Sequence, residues 1–168
     1  MNCSRRRLLR LSGSLLLLSC VVNEVHGDND VVITMKGTHR GERVWFEPKG
    51  VAIEPGTTVT FINRDPGNSH TVTAYHPEIF DRVRRIPKAA KPFDSGYLLP
   101  GQTFSLTLTV PGVYDYYCVP HEMAAMVGRI IVGSPALEDW DDSALGAGGV
   151  RGDVSAQFPS VRAIFNAR

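Results

Sequence analysis

Two Pro-Gly pairs, Pro100-Gly101 and Pro111-Gly112, bracket a run in which Phe104, Leu106, Leu108 and Val110 alternate with Ser105, Thr107 and Thr109. A period of two puts the apolar set on one face of an extended strand, and the Pro-Gly pairs end that strand on both sides. The same grammar recurs along the chain. "VVITMK" at 31–36 reads as a strand, and "RVWFEPKGVAIEPGTTVTFINRD" reads as strand, turn and strand, with Pro55-Gly56 turning the chain. In 57–63, Val59 and Phe61 alternate with Thr58, Thr60 and Ile62; "HTVTAY", "VYDYYC" and "VGRIIVG" complete the series. Seven to eight short strands between turn signals predict an all-β fold, two sheets packed as a sandwich with an apolar interior. At 168 residues the chain is long enough for one such domain. The formal net charge of +1, with no basic helix or RNA-binding motif, excludes a nucleic-acid partner.

Three segments depart from this rhythm. Residues 1–27 pair a basic start (Arg5, Arg6, Arg7, Arg10) with an apolar run from Leu11 to Val22, too short to span a bilayer. They read as an export signal of twin-arginine type, cut before Asp28, which places the mature chain in the periplasm or another extracytoplasmic space. "LLSC" ending at Cys20 offers the alternative of a lipid anchor; the mature chain itself has no membrane span. Residues 76–96 break the alternation and carry Arg82, Arg84, Arg85, Lys88 and Lys91; a helical turn or two over Glu78–Arg85, or irregular chain, is expected there. This basic run reads either as a solvated face or as a docking face for an acidic partner. Residues 134–168, with Glu138, Asp139, Asp141 and Asp142 and then a Gly-rich stretch, read as a mobile tail outside the core. The domain proper is therefore 28–133.

Without residues 1–27, 14 basic residues face 16 acidic ones, and Cys118 is the only cysteine left of three. A lone thiol in an oxidising compartment makes no intrachain disulfide; it is buried and inert, reactive, or bound to something. Its neighbours favour the last. "YDYYCVPHEMAAMVGRIIVG" puts a thiol, an imidazole and a thioether at Cys118, His121 and Met126. Soft sulfur ligands beside imidazole suit copper, and two His with one Cys and a weak axial Met is the donor set of blue-copper centres. Among the remaining histidines, His70 opens a strand directly after the "NRDPGNS" turn and is the best second imidazole; His39 and His76 read as surface residues. Taken singly, a buried Cys, a turn His and a core Met are each commonplace; together, at this spacing, they are not.

"FEPKGVAIEPGTTVTFINRDPGNSHTVTA" and "PGVYDYYCVPHEMAAMVGRIIVG" resemble the cupredoxins, specifically the plastocyanin–pseudoazurin branch, over about residues 31–133. The resemblance implies a cupredoxin-like Greek-key sandwich holding one type I copper ion. It makes His70, Cys118 and His121 the equatorial ligands and Met126 the axial one, Met123 standing too close to His121 for that geometry. It also implies a monomeric electron carrier serving redox partner proteins, without substrate turnover. Copper storage or delivery is the alternative, and a copper enzyme would need further ligands that the chain does not offer. Thr71 departs from the branch, where Asn commonly follows the first ligand His. A hydroxyl is then left to tie the ligand loop, while the backbone N–H of Thr71 remains free to bond the Cys118 sulfur.

Overall fold

A computed structural model describes residues 30–134, 150 and 152–167; the leader with Cys20 and the acidic cluster 138–142 lie outside them. Eight strands form two mixed four-stranded sheets, as the alternation predicts. They are β1 (Val31–Gly37), β2 (Val44–Glu47), β3 (Gly50–Ile53), β4 (Thr57–Asn63), β5 (Thr73–Ala74), β6 (Thr103–Leu108), β7 (Gly112–Tyr117) and β8 (Val127–Val132). One sheet runs β2-β1-β4-β6 and the other β3-β8-β7-β5. β1 lies parallel to β4, and β3 parallel to β8, while the remaining pairs are antiparallel.

The period-two pattern decides what faces inward. Along β4, Thr57, Val59, Phe61 and Asn63 are buried and the residues between them are half-exposed. Phe61 meets Phe46 and Tyr116 edge-on, joining the two sheets through aromatic contacts. β7 and β8 differ: β8 is buried along its whole length, and β7 from Val113 onward. Tyr114, Tyr116 and Cys118 point into the main core, while Val113 and Tyr117 belong to two other apolar clusters on the opposite face. Gly128 is required on β8, because a Cβ there would run into the Tyr116 ring.

The cover on that opposite face is the C-terminal segment, which the sequence leaves outside the core as a mobile tail. Residues 152–167 instead hold α1 (Gly152–Ser155) and α2 (Val161–Phe165). Val150, Val154 and Phe158 are buried with Tyr75, Tyr117 and Val127, and Val161 and Ile164 with Val113 and Ile131. Strands that are apolar on both faces need a layer on each, and this segment supplies the second.

Residues 76–96 hold no helix. Phe80 and Asp81 take positive φ values of 53° and 51°, which breaks any helical run. The segment hydrogen-bonds alongside β5 and β7 (Ala74 N to Phe93 O, Arg85 N to Tyr75 O, Asp115 N to Arg85 O). Arg85 is thereby turned inward and is not part of a surface patch. It and Arg129 both donate to the fully buried Asp115. Among the described residues no helix is long and apolar enough to cross a membrane.

Asp115→Ala would leave two buried guanidinium groups without their shared carboxylate. It is expected to cost about 3–5 kcal/mol, read from the urea unfolding midpoint; a loss within a few tenths of a kcal/mol would show that the pair needs no counter-charge.

Candidate metal centre

Three donors converge at one end of the sandwich. His70 lies on an isolated bridge with Leu98, just before β5. Cys118 follows the last residue of β7, and His121 sits in the short 3-10 turn Val119–Ala124 between β7 and β8. Pro120 at the start of that turn removes a backbone donor and fixes φ where the chain leaves the strand. The His70 and His121 Nδ1 atoms are 3.1 Å apart, and they lie 3.6 and 3.4 Å from the Cys118 sulfur. A point roughly 2 Å from all three corners exists within this triangle, about the length of a bond from a first-row metal to nitrogen or sulfur. His70 and Cys118 are buried, and His121 is half-buried.

Neighbouring bonds prepare each donor. His70 Nε2 lies 3.0 Å from Asp65 Oδ2, which assigns the proton to Nε2 and leaves the Nδ1 lone pair facing the sulfur. Asp65 is itself held by the Gly67 N–H and the Asn68 side-chain amide, each at 2.9 Å. Burial pushes the Asp65 carboxyl up, but these bonds and His70 outweigh it and hold the group below the usual carboxylate range. Gly37 has no room for a Cβ against this carboxylate. Burial lowers the basicity of His70, with Asp65 opposing; burial and the nearby His70 lower that of His121. Both imidazoles are thus neutral near pH 7, as a ligand must be. Burial pushes the Cys118 thiol up to about 11, against the Thr71 and His121 hydrogen bonds that lower it. A bound cation is what would draw off that proton.

The Thr71 N–H donates to the Cys118 sulfur at 3.3 Å, the bond its backbone was expected to keep. Its hydroxyl accepts from Val119 N–H at 2.8 Å and lies 2.9 Å from the Thr73 hydroxyl. The hydroxyl therefore does tie the ligand loop to the His70 strand end. Met126 is fully buried at the end of the loop, its N–H bonded to the His121 carbonyl and its own carbonyl accepting from Cys118 N. Met123 is 62% exposed, turned away from the core. His39 is exposed as expected, but His76 is buried, its Nδ1 accepting from Glu78 N–H at 3.1 Å.

A family description for "Copper binding proteins, plastocyanin/azurin family" matches residues 33–133. The chain belongs to that family. Chloroplast plastocyanin of Hordeum vulgare is 42% identical over 90 residues, 52% of this chain and 54% of that protein. Chloroplast plastocyanin of Physcomitrium patens is 33% identical over 131 residues, 76% of this chain and 68% of the relative. A pseudoazurin structure from Sinorhizobium meliltoi aligns with a TM-score of 0.55 at 26% identity, covering 76% of this chain and 89% of its own. The chain spans about half the length of the first curated relatives it matches. Copper is the metal of this family, and the donors of this cupredoxin, two imidazoles and a thiol with no carboxylate among them, fit it.

Asp65 escaped the sequence reading. Its signal was an acid in "NRDPGNSH", five residues before His70, but only the folded turn brings it to the far ring nitrogen. Asp65→Ala is expected to weaken copper binding about tenfold or more in chelator competition, with the far-UV spectrum unchanged. Unaltered affinity would show that His70 needs no orienting partner.

Proposed function

We propose that this cupredoxin is a one-electron carrier whose copper is held by His70 Nδ1, Cys118 and His121 Nδ1, with Met126 as the axial thioether. The convergence of two imidazole nitrogens on a buried thiol that already accepts a backbone N–H carries this reading. Bound there, copper supplies reversible Cu(II)/Cu(I) cycling and a strong thiolate charge-transfer colour. The chain's own part is to hold the donors still. Cys118 and His121 share one tight loop, closed by Cys118 N to Met126 O and Met126 N to His121 O. Thr71 joins that loop to the strand end bearing His70. Donors that need little rearrangement between redox states favour fast electron transfer. Their burial favours a carrier over a copper-delivery protein, which must release its ion to a partner.

Electrons are proposed to pass through the His121 edge, because His121 alone of the three donors reaches the surface. Exposed Tyr97 and Leu99 flank Leu98, which is hydrogen-bonded to His70, and offer apolar contact at this end. Arg84, Lys88 and Lys91 are the exposed cations of the 76–96 segment and are proposed to steer an acidic redox partner. Residues 1–27 are proposed as the export leader and 28–133 as the copper domain, acting as a monomer outside the cytoplasm.

The oxidised protein is expected to be blue with one copper per chain, and Cys118→Ser colourless; a blue Cys118→Ser protein would refute the ligand set. Met126→Gln is expected to keep copper and lower the reduction potential, since an axial oxygen favours copper(II). An unchanged potential would remove Met126 from the site.

Charge reversal at Arg84 and Lys88 is expected to slow the bimolecular reaction with an acidic partner at low salt. The difference should fade above about 0.1 M, where the Debye length is about 10 Å. Rates indifferent to both changes would make these cations a solvated face only.

A further inference from the structure

The ligand loop carries a second buried group that does not point at the three donors. Glu122 directly follows His121 and is only 8% exposed. The Tyr75 hydroxyl donates to its Oε1 at 2.9 Å, and the Arg82 guanidinium donates to its Oε2. Burying a carboxylate at the tip of a surface loop is costly, and a loop free to choose would turn it to water. Here both oxygens are directed inward onto fixed partners.

Those partners lead to the C-terminal segment. Tyr75 is wholly buried, stacked against Tyr117 with ring centroids 4.4 Å apart and met edge-on by Phe158 at 6.0 Å. The Arg82 guanidinium lies over the Tyr117 ring at 5.2 Å. Phe158 lies against the Arg85 and Arg129 guanidinium groups at 4.7 and 5.4 Å, and Arg129 donates to the Pro159 carbonyl at 3.0 Å. α1 packs directly on the 3-10 turn. All of this segment lies beyond residue 133, where the family match ends.

The backbone bonds within 118–126 close the loop on itself but leave its attitude towards His70 open. Three side-chain bonds reach across to the chain around β5: Thr71 N–H to the Cys118 sulfur and Val119 N–H to the Thr71 hydroxyl, both before His121 in the chain, and Tyr75 hydroxyl to Glu122, after it. The first two meet at one residue and permit a pivot about Thr71, whereas the third, beyond His121, fixes the imidazole against the His70 ring, which it meets at 4.9 Å between centroids. We infer that Glu122 is a positioning residue for His121, held through Tyr75 and Arg82, and that Val154 and Phe158 of the C-terminal segment brace this anchor. The inference rests on the reading of His121 as a ligand.

The test uses the full chain in two states. In the metal-free protein, Tyr75→Phe, Glu122→Ala and Val154→Ala are expected to speed amide exchange at Ala125 and Met126 about five- to tenfold, with β4 amides unchanged. In the copper form the same variants are expected to shift the reduction potential and hasten copper loss to a chelator about tenfold. Glu122→Gln, which keeps an acceptor for Tyr75 but turns an amide N–H towards the Arg82 guanidinium, is expected to fall between the parent and Glu122→Ala in both. Parent-like exchange at Ala125 and Met126 in a folded Tyr75→Phe protein would overturn the anchor; parent-like exchange in Val154→Ala would overturn the brace. A parent chain that binds no copper would defeat the ligand reading, and with it the role of Glu122, whatever the exchange rates.

Discussion

Strand β7 is buried on both faces, and the rest of the molecule is arranged around that constraint. Its inward residues, Tyr114 and Tyr116, continue into Cys118 in the main core, so the thiol is set on the inner side by the same alternation that packs the tyrosines. Its outward residues, Val113, Asp115 and Tyr117, need cover of their own. Two of them find apolar neighbours. Asp115 finds two guanidinium groups, one from the segment after β5 and one from β8. A single strand thus joins the metal loop, the irregular 76–96 segment and the C-terminal helices.

The site inherits its rigidity from this arrangement. His70 and Cys118 come from chain far apart in sequence, and the thiol is 48 positions beyond the imidazole. Hydrogen bonds bring them into register: Thr71 N–H to the sulfur, Thr71 hydroxyl from Val119, and Asp65 to the back of the His70 ring. Thr71 acts through two of its groups. The hydroxyl accepts the Val119 N–H of the loop, and the sulfur bond belongs to the backbone and does not depend on the side chain.

The basic stretch illustrates where linear reading misleads. Arg82, Arg84, Arg85, Lys88 and Lys91 look equivalent along the chain. Arg82 turns to Glu122 and Arg85 to Asp115, while Arg84, Lys88 and Lys91 stay in solvent. A run of like charges says nothing of which members meet an acid, because those acids lie 30 and 40 positions away. His76 reads as a surface residue for a similar reason: its ring is buried and its Nδ1 accepts the Glu78 N–H of its own turn, neither of which leaves a periodicity in the sequence.

What the sequence determined alone was local. Alternation and Pro-Gly punctuation specified seven to eight short strands, and the spacing of Cys118, His121 and Met126 specified a loop carrying soft donors, because both depend on neighbours a few residues apart. That "VYDYY" and "VGRIIV" would be buried on both faces was not legible, because each carries a charged residue, Asp115 and Arg129. Nor was their cover, since residues 150–167 follow directly on an acidic and Gly-rich stretch that reads as a tail. Tertiary structure decided that cover, the pairing of Asp65 with His70, and the inward turn of Glu122. Each joins groups through space, and only the packed sheets bring those groups within hydrogen-bonding or van der Waals distance.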